Sequence, residues 1–140
     1  MGIIEKTDQI GGLGRGEVKI ARGLYDFATD GGAVGDITLR GDTIPSGAIC
    51  IDALIQVDTA LTSSGAATVA LKVEGTADVN AADAISGAPW SSTGAKRADA
   101  LTATGAPVTT TAARSITATV GTAALTAGAF TVLVSYVEFA

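Results

Sequence analysis

Apolar and polar residues alternate one by one along much of the chain. In "RSITATVG" (114–121), Ile116, Ala118 and Val120 fall on one side and Thr117 and Thr119 on the other, which predicts a half-buried strand. In "AFTVLVSYVEF" (129–139), Phe130, Val132, Val134 and Tyr136 share one face, and Thr131, Leu133, Ser135 and Val137 share the other. Both faces are apolar enough to predict a strand in the middle of a sheet or against a neighbouring subunit. "EVKIARGLYDF", "DITLRG", "AICIDALIQVDTAL" and "ATVALKVEG" read as further strands, and the separators "ATDGGAVG", "DTIPSG" and "TSSGA" carry the Gly, Pro, Asp and Ser that turns require. Strands at spacings of about 8–15 residues predict an all-β fold, a single β-sandwich or jelly-roll-like domain, rather than a parallel α/β sheet.

The pattern weakens between Thr76 and Thr111, which reads as one or two short strands with long loops; "NAADAI" predicts a single helical turn capped by Asn80. Residues 1–14 read as a short flexible N-terminal arm and residues 15–140 as the β-domain. The arm's Ile3, Ile4, Ile10 and Leu13 need a partner surface to become ordered, which makes them candidate contacts.

Composition narrows the function. Lys and Arg number 9 against 14 Asp and Glu, and the net charge of −5 with scattered basic residues argues against nucleic acid as a partner. The chain has no His and a single Cys, so the commonest proton shuttle and metal ligand is missing and no intrachain disulfide can form. No nucleophile with a base is visible, and neither an enzyme nor a cofactor is expected. The N-terminus lacks the layout of a secretory signal, and the uncharged stretch Ser115–Val137 is too rich in Thr, Ser and Gly to favour a membrane helix. No membrane association is expected.

Several short motifs have ordinary structural readings. Arg40-Gly41-Asp42 matches the adhesion tripeptide, but with Pro45 and Gly47 just after it the stretch reads as a corner between strands. "GGLGRG" (11–16) has no strand before it and no Lys-Ser or Lys-Thr ending, so it reads as a hinge rather than a phosphate loop. Asp78, Asn80 and Asp83 lack the closing Glu of a calcium loop and read as solvated. Cys50 reads as a small buried or interfacial residue. Trp90 is either a cover over one end of the core or an interface anchor, and Lys96 and Arg97 either a solvated pair or a contact to an acidic partner.

Taken in order, "GLYDFATDGGAVGDITL", "IPSGAICIDALIQVDTALTSSGAATVALKVEG", "AISGAPWSSTG" and "TTAARSITATVGTAALTAGAFTVLVSYVEF" resemble a group of tailed-bacteriophage head decoration, or capsid-stabilising, proteins. The resemblance spans roughly residues 20–139, whereas residues 1–14 match the group poorly. It implies a β-sandwich bound to the outside of an assembled lattice of major capsid protein, often as a homotrimer at local threefold positions. It implies a virion protein made in the host cytoplasm, and it brings no catalytic residues. On that basis the arm residues are candidate capsid contacts. Trp90, Lys96, Arg97, Phe130, Val132, Val134 and Tyr136 are candidate interface residues. The alternative is a tail or fibre component, or a host-surface-binding β-module.

Overall fold

The computed structural model describes residues 17–103 and 107–138. The candidate contacts Ile3, Ile4, Ile10 and Leu13 and the glycine stretch 11–16 lie outside the described residues. In chain order the elements are β1 (Val18–Asp26), α1 (Phe27–Asp30), β2 (Gly35–Ile44), β3 (Ala48–Ser63), β4 (Thr68–Lys72), β5 (Asn80–Ala84), β6 (Gly94–Arg97), α2 (Ala100–Ala103), β7 (Val108–Thr109), β8 (Arg114–Gly121) and β9 (Leu125–Glu138). The strands pair antiparallel in the order β5-β4-β8-β2-β1-β9-β3-β6, and β7 pairs with β3 off this path. The chain forms the all-β architecture that the alternation predicts.

The sheet curls over on itself at the step between β1 and β2, where pairing is limited to Gly23 with Gly41 and Leu24 with Arg40. The half built from β5, β4, β8 and β2 therefore faces the half built from β1, β9, β3 and β6, and their inner side chains merge into one core. Gly23 sits against the facing half of the sheet. A Cβ there would meet Leu39 at 3.1 Å and Ile116 at 3.2 Å, so any larger residue would press the halves apart.

Strand β8 folds as its sequence dictates: Ile116, Ala118 and Val120 are buried and the intervening threonines are half-exposed. On its outer side Thr119 donates to Asp36 at 2.8 Å, and Lys72 donates to the other oxygen of Asp36 at 2.7 Å. This half thus presents a hydroxyl and ion-pair surface to water. Strand β9 lies between β1 and β3, the central placement its two apolar faces require.

Two local expectations are corrected. Residues Asn80–Ala84 form the edge strand β5, not a helical turn. The Asn80 amide is 1% exposed and works inside the fold, donating to the Ala81 carbonyl and to Asp83 at 3.0 Å each and accepting from the Asp99 N–H at 3.1 Å. Asp78 makes the preceding turn, accepting the N–H groups of Val73, Glu74 and Gly75 at 2.8, 3.0 and 2.6 Å. Second, Arg40-Gly41-Asp42 is not a corner but the interior of β2, at the point where its register with β8 shifts between Thr38 and Thr43. The turn comes later, at residues 45–47. Gly41 has φ +128°, and a Cβ there would lie 2.2 Å from the Arg22 carbonyl oxygen, so this bulge admits glycine alone.

Candidate functional site

Phe130, Val132 and Val134 are 1%, 0% and 0% exposed, because this face of β9 points into the core. Trp90 is 0% exposed: it lies against Phe130 with ring centroids 4.9 Å apart, and Phe130 also stacks on Tyr25 at 5.0 Å. These four side chains reach no surface of the chain, so the interface expected of them is corrected: they are core. Tyr136 continues the same face and packs half-buried against that core. Of the two readings of Trp90, the cover over the core is the one the chain adopts.

The opposite face of the same strands is the exposed apolar one. Of the large hydrophobic residues, Val18 and Ile20 of β1 and Ile51 and Leu54 of β3 are 57%, 59%, 40% and 42% exposed. Strand pairing sets three of them in rows, with Ile51 in the register shift between Cys50 and Asp52: Val18 beside Val137 beside Ile49, then Ile20 beside Ser135 beside Asp52, then Arg22 beside Leu133 beside Leu54 beside Arg97. Side chains paired across antiparallel strands share a face, so the rows make one patch. The candidate site is this patch, on the face of β9 opposite to the one the interface assignment used. The signal for it was present in "VKI" and "ICIDALI", where large apolar residues occupy outward positions.

Lys96 and Arg97 lie on β6 beside a shallow cleft of about 320 Å³ lined also by Asn80, Asp83, Ala88, Pro89 and Asp99. Lys96 donates to the Ser92 carbonyl, and Arg97 pairs with Asp52, so both cations are engaged within the chain. The Asn80 amide has both its donors and one acceptor site engaged within the chain. The cleft holds charges of both signs already held by neighbours.

Catalytic chemistry finds little material elsewhere. Cys50 is fully buried, and desolvation, helped by Asp78 and Glu74, pushes its thiol up to about 11, which keeps it protonated and inert. Among the described residues no group of three or more His, Cys, Asp or Glu is placed to hold a metal ion, and no helix is long and apolar enough to cross a membrane. The best-defined charged cluster is a structural clasp. Arg114 Nε and Nη2 reach the Glu74 carboxylate at 2.7 and 3.1 Å, and Thr111 adds its hydroxyl at 2.7 Å and its N–H at 3.2 Å. The Arg114 hydrogen bonds first, then those from Thr111, bring the Glu74 carboxyl down to about 2.

No protein-family model and no curated protein matches the sequence. The fold does match solved structures. The chain is similar to one in the acidic stable capsid structure of Helicobacter pylori bacteriophage KHP30, with 16% identity over 88% of this chain and 89% of that one and a TM-score of 0.59. It is similar to a chain of the cyanophage Pam1 capsid asymmetric unit, with 22% identity, coverage of 87% and 85% and a TM-score of 0.59. It is also similar to a chain of the capsid of Ralstonia phage GP4, with 19% identity, coverage of 90% and 87% and a TM-score of 0.61. At these identities the likeness establishes a shared fold across nearly the whole length of each chain.

Proposed function

We propose that the protein is a structural component of a phage virion that binds the outer surface of the assembled capsid and stabilises it, as a homotrimer seated on the major capsid protein. The observation that carries this reading is the fold shared, over 87–90% of this chain, with chains of three phage capsids. The chemistry of the chain agrees with it: a thiol that stays protonated, and charges occupied in holding strands together. Residues 15–140 act as the capsid-binding domain and residues 1–14 as an arm whose Ile3, Ile4, Ile10 and Leu13 add contacts to the capsid protein. Apolar burial between neighbouring capsid subunits adds stability at about 25 cal/mol per Å², less the cost of ordering the arm.

Antibody labelling of intact particles of the phage that encodes the chain tests the location. Gold over the heads is the expected result. Gold confined to tails or fibres, or labelling only after the heads are broken, would overturn it.

A further inference from the structure

Asp30-Gly31 is the only Asp-Gly step in the sequence, which has no Asn-Gly step. A polypeptide rearranges most readily by itself at such a step, because the glycine has no side chain to hinder approach to the aspartate. The glycine nitrogen attacks the γ-carbon of the neutral acid. The N–Cγ bond forms, the carboxyl hydroxyl leaves with the amide proton as water, and a cyclic imide results. Water then opens the ring. Attack at the γ-carbon restores aspartate, whereas attack at the main-chain carbonyl carbon leaves the backbone running through the γ-carbon as isoaspartate. The product is an isomer of the starting chain, and water is the only other reactant.

Both reacting groups are held in the fold. Asp30 is the last residue of α1, and the Gly31 N–H donates to the Phe27 carbonyl at 2.9 Å, which ties the attacking nitrogen along the turn. The carboxylate is gripped from two sides. Arg40 Nε donates to Oδ1 at 2.9 Å and Arg40 Nη2 to Oδ2 at 3.1 Å, while the Asp26 N–H donates to Oδ2 at 2.8 Å. The Asp30 side chain is 10% exposed and that of Arg40 is 45% exposed, so the guard stands at the surface and its charge within. The Arg40 hydrogen bonds hold the Asp30 carboxyl below the usual carboxylate range, which leaves little of the neutral acid that ring closure consumes.

The residues that follow form a keyed junction. The Gly31 carbonyl accepts the Tyr25 hydroxyl at 2.6 Å, and Tyr25 stacks on Phe130 in the core. The Gly32 carbonyl accepts the Leu125 N–H at 2.8 Å, and a Cβ on Gly32 would lie 2.5 Å from the Leu125 carbonyl oxygen. Isoaspartate adds a carbon to the backbone at residue 30 and shortens the arm that carries the carboxylate. The Arg40 grip and the Tyr25 and Leu125 contacts are no longer met together.

We infer that Asp30-Gly31 is a site of spontaneous modification to isoaspartate and that Arg40 is the positioning residue that keeps it unreacted in the folded protein. Release of the carboxylate from Arg40 admits the reaction, and the isomer unlatches α1 from β2. This role for Arg40 is independent of capsid binding and holds whatever the chain docks to.

Incubation of the full chain at neutral pH and physiological temperature, with isoaspartate located by peptide mapping and mass spectrometry, tests it. The folded parent is expected to stay almost unmodified, and the parent unfolded in denaturant to accumulate isoaspartate first at Asp30. Arg40→Ala, folded by circular dichroism and Trp90 emission, is expected to react several times faster than the parent, and Arg40→Lys to fall between the two. Asp42→Ala, which loosens the neighbouring β1–β2 contact without touching Asp30, is expected to react like the parent. A folded parent that reacts as fast as the unfolded chain overturns the inference. So does a folded Arg40→Ala or Arg40→Lys that reacts no faster than the parent. Equal acceleration by Asp42→Ala would reduce Arg40 to a general stabiliser and overturn its guarding role.

Discussion

The carboxylate of Asp42 accepts a hydrogen bond from the backbone N–H of Arg22 at 2.9 Å, joining β2 to β1 where their ladder is sparse. Arg40, two residues earlier, is held by both oxygens of Asp30 at 2.9 and 3.1 Å. An adhesion receptor needs both charged ends of the tripeptide, and here one is tied to Asp30 of α1 and the other to the backbone of β1.

Asp42→Ala is accordingly expected to lower stability by about 1 kcal/mol, and Gly41→Ala by at least about 2 kcal/mol because of its positive φ and the Arg22 carbonyl in the way. Chemical denaturation measures both. Binding of the native protein to an adhesion receptor, abolished by Asp42→Glu, would contradict the assignment.

Acid tests the Glu74 clasp. Its folded carboxyl titrates near 2 and the free one near 4.5, so the pairing contributes fully above pH 4.5 and is lost as pH falls through the folded value. Asp30 and Asp36, lowered first by Arg40 and first by Lys72 respectively, act in the same direction. Thermal melts are expected to be insensitive to these groups between pH 7 and 5 and to fall below about pH 4.5. Glu74→Gln should flatten that fall; an unchanged acid profile in the variant would remove the clasp from the account.

Burial of the sole tryptophan predicts a blue-shifted emission from the native chain. Since Trp90 and Phe130 are already dry, that emission is expected not to move on self-association or capsid binding. Phe130→Ala should cost about 3–5 kcal/mol in denaturant titrations. A Trp90 spectrum that shifts on association would return this residue to an interface.

Much of this architecture is legible in the sequence because a two-residue period survives folding intact. Ile116, Ala118 and Val120 announce an inner face against Thr117 and Thr119, and the long apolar run of β9 announces a central strand. Alternation separates two faces without saying which one turns inward when both are apolar, so Phe130, Val132 and Val134 exchange roles with Leu133 and its neighbours. Trp90 was ambiguous for another reason. Its loop is small and polar in composition, and only tertiary contact, with Leu61 N–H donating to the Trp90 carbonyl at 3.2 Å, folds it over the core. Asn80 followed by Ala-Ala-Asp has the composition of a capped turn, yet pairing of Leu71 with Asn80 draws the segment into the sheet.

Cys50 offers an inexpensive check on the packing. A buried thiol raised to about 11 is expected to resist aromatic disulfide reagents at neutral pH and to react fully once the chain is unfolded. Rapid labelling of the native protein would mean that β3 opens where the structure has it closed by β7 and β9.

Co-sedimentation of the full chain with expanded shells of its phage's major capsid protein decides the matter most directly. Saturable binding at a fixed ratio of chain to capsid subunit, with shells that then withstand heating or chaotrope better than bare ones, is the predicted result. Absence of binding to every form of the shell would contradict a capsid-stabilising role and direct attention to the tail.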